Sequence, residues 1–260
     1  MGLFRVLTIG AFILAIPLAL ITTNIRVAIS EKPVYDYAVR HYGAEEASGI
    51  PESELLRANG QIHDYLVHER SGALSISVLD ESGDAVPLFN VEETAHMADV
   101  RDLVGVLFMV QALAIGALLS LAVIMLVMWP PRALSAAALS GSVLTASILA
   151  LASLVSVMGF DAAWSQFHVI AFANDFWELD PDTDHLIQMF PEAFWFDITM
   201  LIGAATMLEA VIVSAASVAY LLLSRPNHVP QPQHDPRPAL PRLEERPRRL
   251  GAPNPKHYLR

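Results

Sequence analysis

Four stretches of the chain, about 6–24, 103–128, 134–158 and 198–223, are apolar for roughly 18 residues or more and nearly free of charge. Hydrocarbon about 30 Å thick is crossed by roughly 20 helical residues. In lipid a segment must satisfy its own backbone N–H and C=O groups, so such runs are helices. They end at clear punctuation, WPPR at 129–132 and SRP at 224–226. With 54% of 260 residues hydrophobic, the chain reads as an α-helical polytopic membrane protein with four transmembrane helices. The first run has only Arg5 before it and exceeds the core of about 7–15 residues typical of a signal peptide, so a retained helix is expected. The expected organisation is a first transmembrane helix over 5–26, a small cap over 27–90 and a helix with the second span over 91–129. A third span over 134–159, an interfacial segment over 160–196, a fourth span over 197–223 and a tail over 224–260 follow.

Charge orients these spans. The tail holds eight basic residues, and Arg5 and Arg132 add to the same side. Residues 160–197 hold eight acids and no lysine or arginine, and residues 30–98 hold thirteen acids against four bases. The positive-inside rule places both termini in the cytoplasm and both acidic segments outside. The net charge of −11 gathers on that outer side and argues against nucleic acid binding. With no cysteine, the chain forms no disulfide, thiol nucleophile or cysteine metal site.

Within the cap, SGIPESELLRANGQIHDYL reads as a helix, and ALSISVLDESGDAVPLF alternates around a Ser-Gly-Asp turn as a small hairpin. The insertion is short for an independent domain and is expected to pack on the helices. The tail carries nine of the seventeen prolines among arginines and histidines, a composition that builds no core and suits either anionic lipid headgroups or a plain solvated tail.

Two histidines fall at one depth. Asn90-Val91-Glu92-Glu93 has the form of a capping box, so a helix starts about thirteen residues before Leu103. His96 then stands roughly 10 Å above the hydrocarbon edge. Glu92 and Asp99, at i−4 and i+3, lie within reach, and a carboxylate there would hold one imidazole nitrogen protonated. His168 follows the third span at a comparable depth, where Trp164, Phe167, His168 and Phe172 recur at helical spacing, as in a helix lying in the interface. Ten of the 21 aromatics fall between 160 and 196, more than an anchoring girdle needs. Either histidine alone reads as an interfacial side chain; together they suggest a shared site.

Competing constellations are weaker. Asp180, Asp182 and Asp184 alternate like a calcium loop but lack its glycine and distal glutamate. His96, His168, His185 and Glu209 have no paired-histidine zinc spacing. Glu209, an intramembrane acid, is a functional candidate or a partner of Thr and Ser on neighbouring helices. Arg26, outside against the trend, suits an acidic cap residue, a carbonyl or a headgroup oxygen.

The runs TTNIR (22–26), FNVEETAHMADVRDLV (89–104) and FHVIAFANDFWELDPDTDHLIQMFPEAFW (167–195) resemble the lipoprotein intramolecular transacylase family, Lit, over roughly residues 5–223. Within the last run, ANDFWELDPDT is more acidic than the family pattern. The resemblance implies four transmembrane helices and an extracytoplasmic cap. It also implies an enzyme that moves the sn-2 acyl chain of a diacylglyceryl-cysteine lipoprotein onto the cysteine α-amine. The catalytic histidines it implies are His96 and His168, with Asp99, Trp177 and Glu192 at other motif positions.

That chemistry suits the residues. Closing an eight-membered ring is unfavourable in solution, so holding the substrate folded carries much of the catalysis. Two histidines with pKa values near neutrality suit a general base and a general acid, and Asn174, Trp177 or Arg26 are candidate oxyanion donors. No cofactor, metal or acyl-enzyme is required; the partners expected are the diacylated lipoprotein and membrane lipids. A hydrolase using the same histidines, or a lipid or lipoprotein binder without catalysis, are the alternatives.

Overall fold

The computed structural model describes residues 2–68, 72–80 and 83–224; the Pro/Arg-rich stretch beyond Ser224 lies outside the described residues. Helix α1 (Gly2–Ser30) leads into three short helices, α2 (Lys32–His41), α3 (Ala44–Ser48) and α4 (Glu52–Val67). A hairpin of β1 (Ser77–Leu79) and β2 (Ala85–Pro87) follows, then α5 (Val91–Met128) and α6 (Pro131–Ala171). The short α7 (His185–Met189) precedes α8 (Glu192–Leu223). Four of these helices, α1, α5, α6 and α8, are long and apolar enough to cross a membrane, and the protein is a multi-pass membrane protein.

The long helices outrun the apolar stretches they contain. At about 1.5 Å per residue, the 38 residues of α5 reach about 57 Å, against about 30 Å of hydrocarbon. The excess of α5 precedes Leu103, because Asn90 starts the helix early. The Asn90 side chain accepts from Glu93 N at 2.9 Å, and the Glu93 carboxylate accepts from Asn90 N at 2.7 Å. The expected capping box is therefore present, and it sets the rotational phase of everything that follows on α5. Helix α6 also overshoots. It passes through non-helical geometry at Gly159 (φ 175°, ψ 78°), and residues 160–171 continue it as a further helical stretch. The aromatic segment read as a separate interfacial helix is thus the kinked continuation of the third span.

Helix α1 packs against all three of the other long helices, and α6 packs extensively on α8. Helices α1 and α6 approach closely at Gly141, where an added Cβ would clash with the Ile16 side chain and lie 3.1 Å from Ile13 O. Small residues permit such close backbone approach in lipid, where no hydrophobic force draws helices together. Polar ties reinforce the contacts. Asn24 Nδ2 donates to Glu209 Oε2 at 2.8 Å, and Arg26 donates to Gln111 Oε1 at 3.0 Å. Glu209 thus pairs with an asparagine on α1 rather than with Thr or Ser.

At one end of the bundle the cap shares a single core with the helices. Tyr35 and Val39 of α2 and Leu55, Ile62 and Tyr65 of α4 pack with Val78 of the hairpin. Met97, Met189, Phe190 and Phe194 complete the same core. The hairpin pairs Val78 with Val86 in antiparallel register. Gly83 turns it with φ 86°, while Asp80 Oδ1 accepts from Asp84 N at 2.9 Å. The buried Glu93 carboxylate also accepts from Leu186 N at 2.7 Å, so one side chain joins the start of α5 to α7.

Two outcomes follow for stability. Gly141→Leu should separate α1 from α6 and abolish the monodisperse peak in size-exclusion chromatography, whereas Gly203→Leu, at an open position, should leave it unchanged. Glu93→Ala strands two backbone N–H donors and should lower stability by about 2–6 kcal/mol, read by thermal unfolding in detergent.

Candidate active site

The helix start at Asn90 places His96 at the end of the second turn of α5, short of the apolar stretch that begins at Leu103. The helical continuation after Gly159 places His168 in the last turn of α6. Both side chains are buried, and their ring centroids lie 5.9 Å apart with 36° between planes. Two residues separated by 72 positions, each on a helix that overshoots the membrane stretch, meet at the cap end of the bundle.

His168 is held by its own helix. Its Nδ1 lies 2.8 Å from Trp164 O, a contact that requires Nδ1–H in the neutral ring and leaves Nε2 with its lone pair. Aromatic rings fix the plane: Trp177 stacks on it at 5.0 Å, and Trp164 meets it edge-on at 4.7 Å. Phe172 touches both imidazoles, at 5.0 Å from His96 and 5.6 Å from His168. The wall continues through Trp164, which stacks on Trp195 at 5.0 Å.

His96 has a different anchorage from the one expected. Its Nδ1 is buried and makes no hydrogen bond. Glu92 is exposed, and Asp99 accepts instead from Asn174 Nδ2 at 2.9 Å. Among the described residues no carboxylate hydrogen-bonds the ring, and Asp99 is engaged in tying α5 to the loop after α6. Asn174 in turn accepts from Phe176 N at 3.2 Å, which shapes the turn that presents Trp177 to His168.

The remaining candidates fall elsewhere. Arg26 is engaged with Gln111 and lies over the Phe108 ring at 4.4 Å. Gln111 is fifteen residues beyond His96 on α5, about 22 Å along its axis, so Arg26 is not brought to the pair. Glu192 is exposed in the first turn of α8, where its charge suits the helix N-terminus; among the described residues no contact joins it to the histidines. Asp180, Asp182 and Asp184 do not converge. Asp180 Oδ1 accepts from Asp182 N and Asp184 Oδ2 from Asp180 N, so they close a turn. His185 is bonded to Gln188 at 2.8 Å and Glu209 to Asn24, which disperses the scattered zinc set.

Burial lowers the basicity of both rings. It pushes the His96 pKa from the ordinary 6.5 to about 4, helped by the proximity of His168 and opposed by Asp99. His168 is also lowered by burial, with the Trp164 carbonyl opposing. Near neutral pH both imidazoles are therefore uncharged, where the residue pattern alone suggested values near neutrality. Trp164 contributes through a backbone carbonyl and Phe172 through its ring position. Their helical spacing was visible in the sequence, but not those roles.

Nitrogen-15 NMR of the imidazoles in detergent should find His96 titrating near pH 4 and His168 below 6.5. His168→Gln should raise the His96 value by removing a like charge, and Asp99→Asn should lower it further. Because both folded values lie below 6.5, their contribution to stability is complete above that pH and is lost as pH falls toward 4. Titration of either ring above 6.5 would contradict the burial argument.

Comparisons with known proteins agree with this architecture. An in meso structure of the membrane integral lipoprotein intramolecular transacylase Lit from Bacillus cereus matches with a TM-score of 0.73 and 20% identity, covering 86% of this chain and 98% of that one. Two forms of that protein with a histidine replaced, one by arginine and one by alanine, match with TM-scores of 0.69 and 19% identity. They cover 93% and 95% of their own chains and 85% of this one. At that identity the likeness establishes the fold. No curated protein sequence matches the chain. A family model described as lipoprotein intramolecular transacylase Lit matches residues 11–195, well over half of the 260 residues. The chain, with its four apolar helices, its cap and its histidine pair, belongs to the Lit family of lipoprotein intramolecular transacylases.

Proposed function

We propose that this protein moves the sn-2 acyl chain of a diacylglyceryl-cysteine lipoprotein onto the cysteine α-amine, using His96 and His168 for proton transfer. The observation that carries this reading is the pair itself. Two buried imidazoles from different helices sit 5.9 Å apart in an aromatic wall, each with a ring nitrogen not committed to a hydrogen bond.

The proton balance fits two neutral rings. The α-amine, with an ordinary pKa of about 7.7–8.0, enters largely as an ammonium and must lose two protons. One ends on the sn-2 glycerol oxygen and one leaves to solvent. His168, the less depressed base with a fixed tautomer, takes the first proton at Nε2 and becomes the acid that protonates the departing oxygen. The freed amine attacks the ester carbonyl. His96, with its pKa near 4, suits removal of the far more acidic proton on the nitrogen of the tetrahedral intermediate. The carbonyl–glycerol bond then breaks, the amide stands in its place, and the total mass is unchanged. Trp164, Phe172 and Trp177 seat the acyl chain and exclude water, which favours amine attack over hydrolysis. Asn174 retains a second amide N–H beyond the one given to Asp99, which suits the oxyanion.

Mass spectrometry of a diacylated lipoprotein from cells expressing the chain should show one acyl group relocated to nitrogen at constant mass. Loss of an acyl group would mean hydrolysis, and no change would mean binding alone. His96→Gln and His168→Gln should each reduce transfer by about 10²–10⁴-fold; transfer surviving both would overturn the assignment. Because the reacting complex is the ammonium with neutral rings, the rate should be level from about pH 6.5 to the amine value near 8 and fall above it, with no inflection at the ordinary histidine value.

The charge distribution supports an orientation with the pair at the outer-leaflet face and both termini in the cytoplasm. The absence of cysteine makes this testable without a background. In intact spheroplasts an impermeant maleimide should label Ser53→Cys, on the exposed start of α4, and spare Asn254→Cys. The reverse pattern would invert the topology.

A further inference from the structure

Away from the histidine pair, the end of α4 gathers His63, Asp64 and His68, whose ligand atoms all lie within 4.8 Å of one another. His63 Nε2 lies 2.9 Å from Ser30 O at the end of α1. In the neutral ring that contact requires Nε2–H, so Nδ1 keeps its lone pair. That lone pair faces Asp64 Oδ1 at 3.1 Å, and His68 Nδ1 lies 3.5 Å from the same oxygen. With a neutral His63 ring the Nδ1 and Asp64 Oδ1 lone pairs thus face each other, and the exposed His68 can turn its own Nδ1 lone pair to the same point. Tetrahedral zinc, with bonds of about 2.0–2.2 Å to nitrogen and oxygen, separates adjacent ligand atoms by about 3.3 Å. Two of the three edges already have that length, and the exposed His68 side chain can swing to close the third.

From these juxtaposed groups we infer that His63 Nδ1, Asp64 Oδ1 and His68 Nδ1 form a binding site for a divalent transition cation of the zinc class, with the remaining position open to water. The orientation of His63 supports this independently of the cluster. A ligating imidazole ordinarily gives its other N–H to a backbone carbonyl, which fixes the ring and raises its basicity as a ligand. Ser30 O does that here, and its position on the last residue of α1 makes the site a clip between the first span and the cap. His68 is the C-cap residue of α4, off the regular helical lattice, which lets residues i+1 and i+5 from one helix end converge on a common point. This inference stands apart from acyl transfer and uses neither His96 nor His168.

The test uses the full chain in detergent, without a histidine tag, and Co²⁺ as the probe. One equivalent of Co²⁺ per chain should bind, with visible absorption bands of a low-coordinate site that Zn²⁺ abolishes. Thermal unfolding should shift upward with saturating Zn²⁺. Asp64→Asn and His68→Asn, both at exposed side chains, should each reduce Co²⁺ affinity at least tenfold and remove the thermal shift. His96→Gln and His168→Gln should leave both readouts in place. The inference is overturned if no stoichiometric binding occurs, as expected were His63 and His68 simply imidazolium partners of Asp64. It is equally overturned if binding persists in Asp64→Asn and His68→Asn, or disappears with the substitutions at the histidine pair.

Discussion

The Glu93 carboxylate joins what would otherwise be three separate pieces. One oxygen closes the capping box on Asn90 N, and the other accepts from Leu186 N. Beside it, Asn90 Nδ2 reaches Asp184 Oδ1 at 2.9 Å, so the helix start and the turn before α7 are bound to each other from both sides. Helix α5 therefore begins at a fixed residue and phase, and its protrusion beyond the apolar stretch is rigid rather than frayed. His96 lies less than one turn beyond Glu93, and its neighbour Met97 enters the core shared by the cap, α7 and α8. Movement of that carboxylate would shift the histidine and the cap floor together.

On the opposite flank the equivalent control is made by backbone and rings. The Gly159 kink redirects α6 after its membrane stretch, and the helix then runs only three turns before Phe172 ends it. His168 sits in that final turn, gripped by the carbonyl of Trp164 and the face of Trp177. The Asp99–Asn174 hydrogen bond closes the gap between the flanks. Asp99 thus acts on the pair in two ways, through its field on His96 and through the loop it holds.

Much of this was legible in the sequence. Span count follows from backbone satisfaction in lipid, and Asn90-x-x-Glu93 announced the start of α5 because capping is local chemistry. The placement of His96 and His168 at one depth followed from counting residues from apolar stretches. Pairings between elements distant in the chain were not legible. Asp99 is three residues from His96 and invites an ion pair, but Asn174, 75 residues away, takes its oxygen. Arg26 suited an acid of the cap, and its actual neighbours are Gln111 and the face of Phe108 on α5. Glu209 met Asn24, 185 positions away in the chain. In each case local spacing named a plausible partner, and helix packing supplied another.

The exchange of a carboxylate partner for aromatic ones has a physical consequence for the proposed reaction. A carboxylate against His96 would favour the imidazolium and hold a charge beside the hydrocarbon edge, where ions are poorly solvated. An imidazolium also has no lone pair with which to take the proton of the ammonium. Rings of Trp and Phe instead lower imidazole basicity, exclude water and offer surface to acyl chains at once. Basicity and apolarity are then not separate design problems at this site, because the same side chains set both. Replacing Phe172 or Trp177 would change the protonation of the histidines together with the fit of the lipid, so a loss of activity there would require both to be measured before either was assigned as its cause.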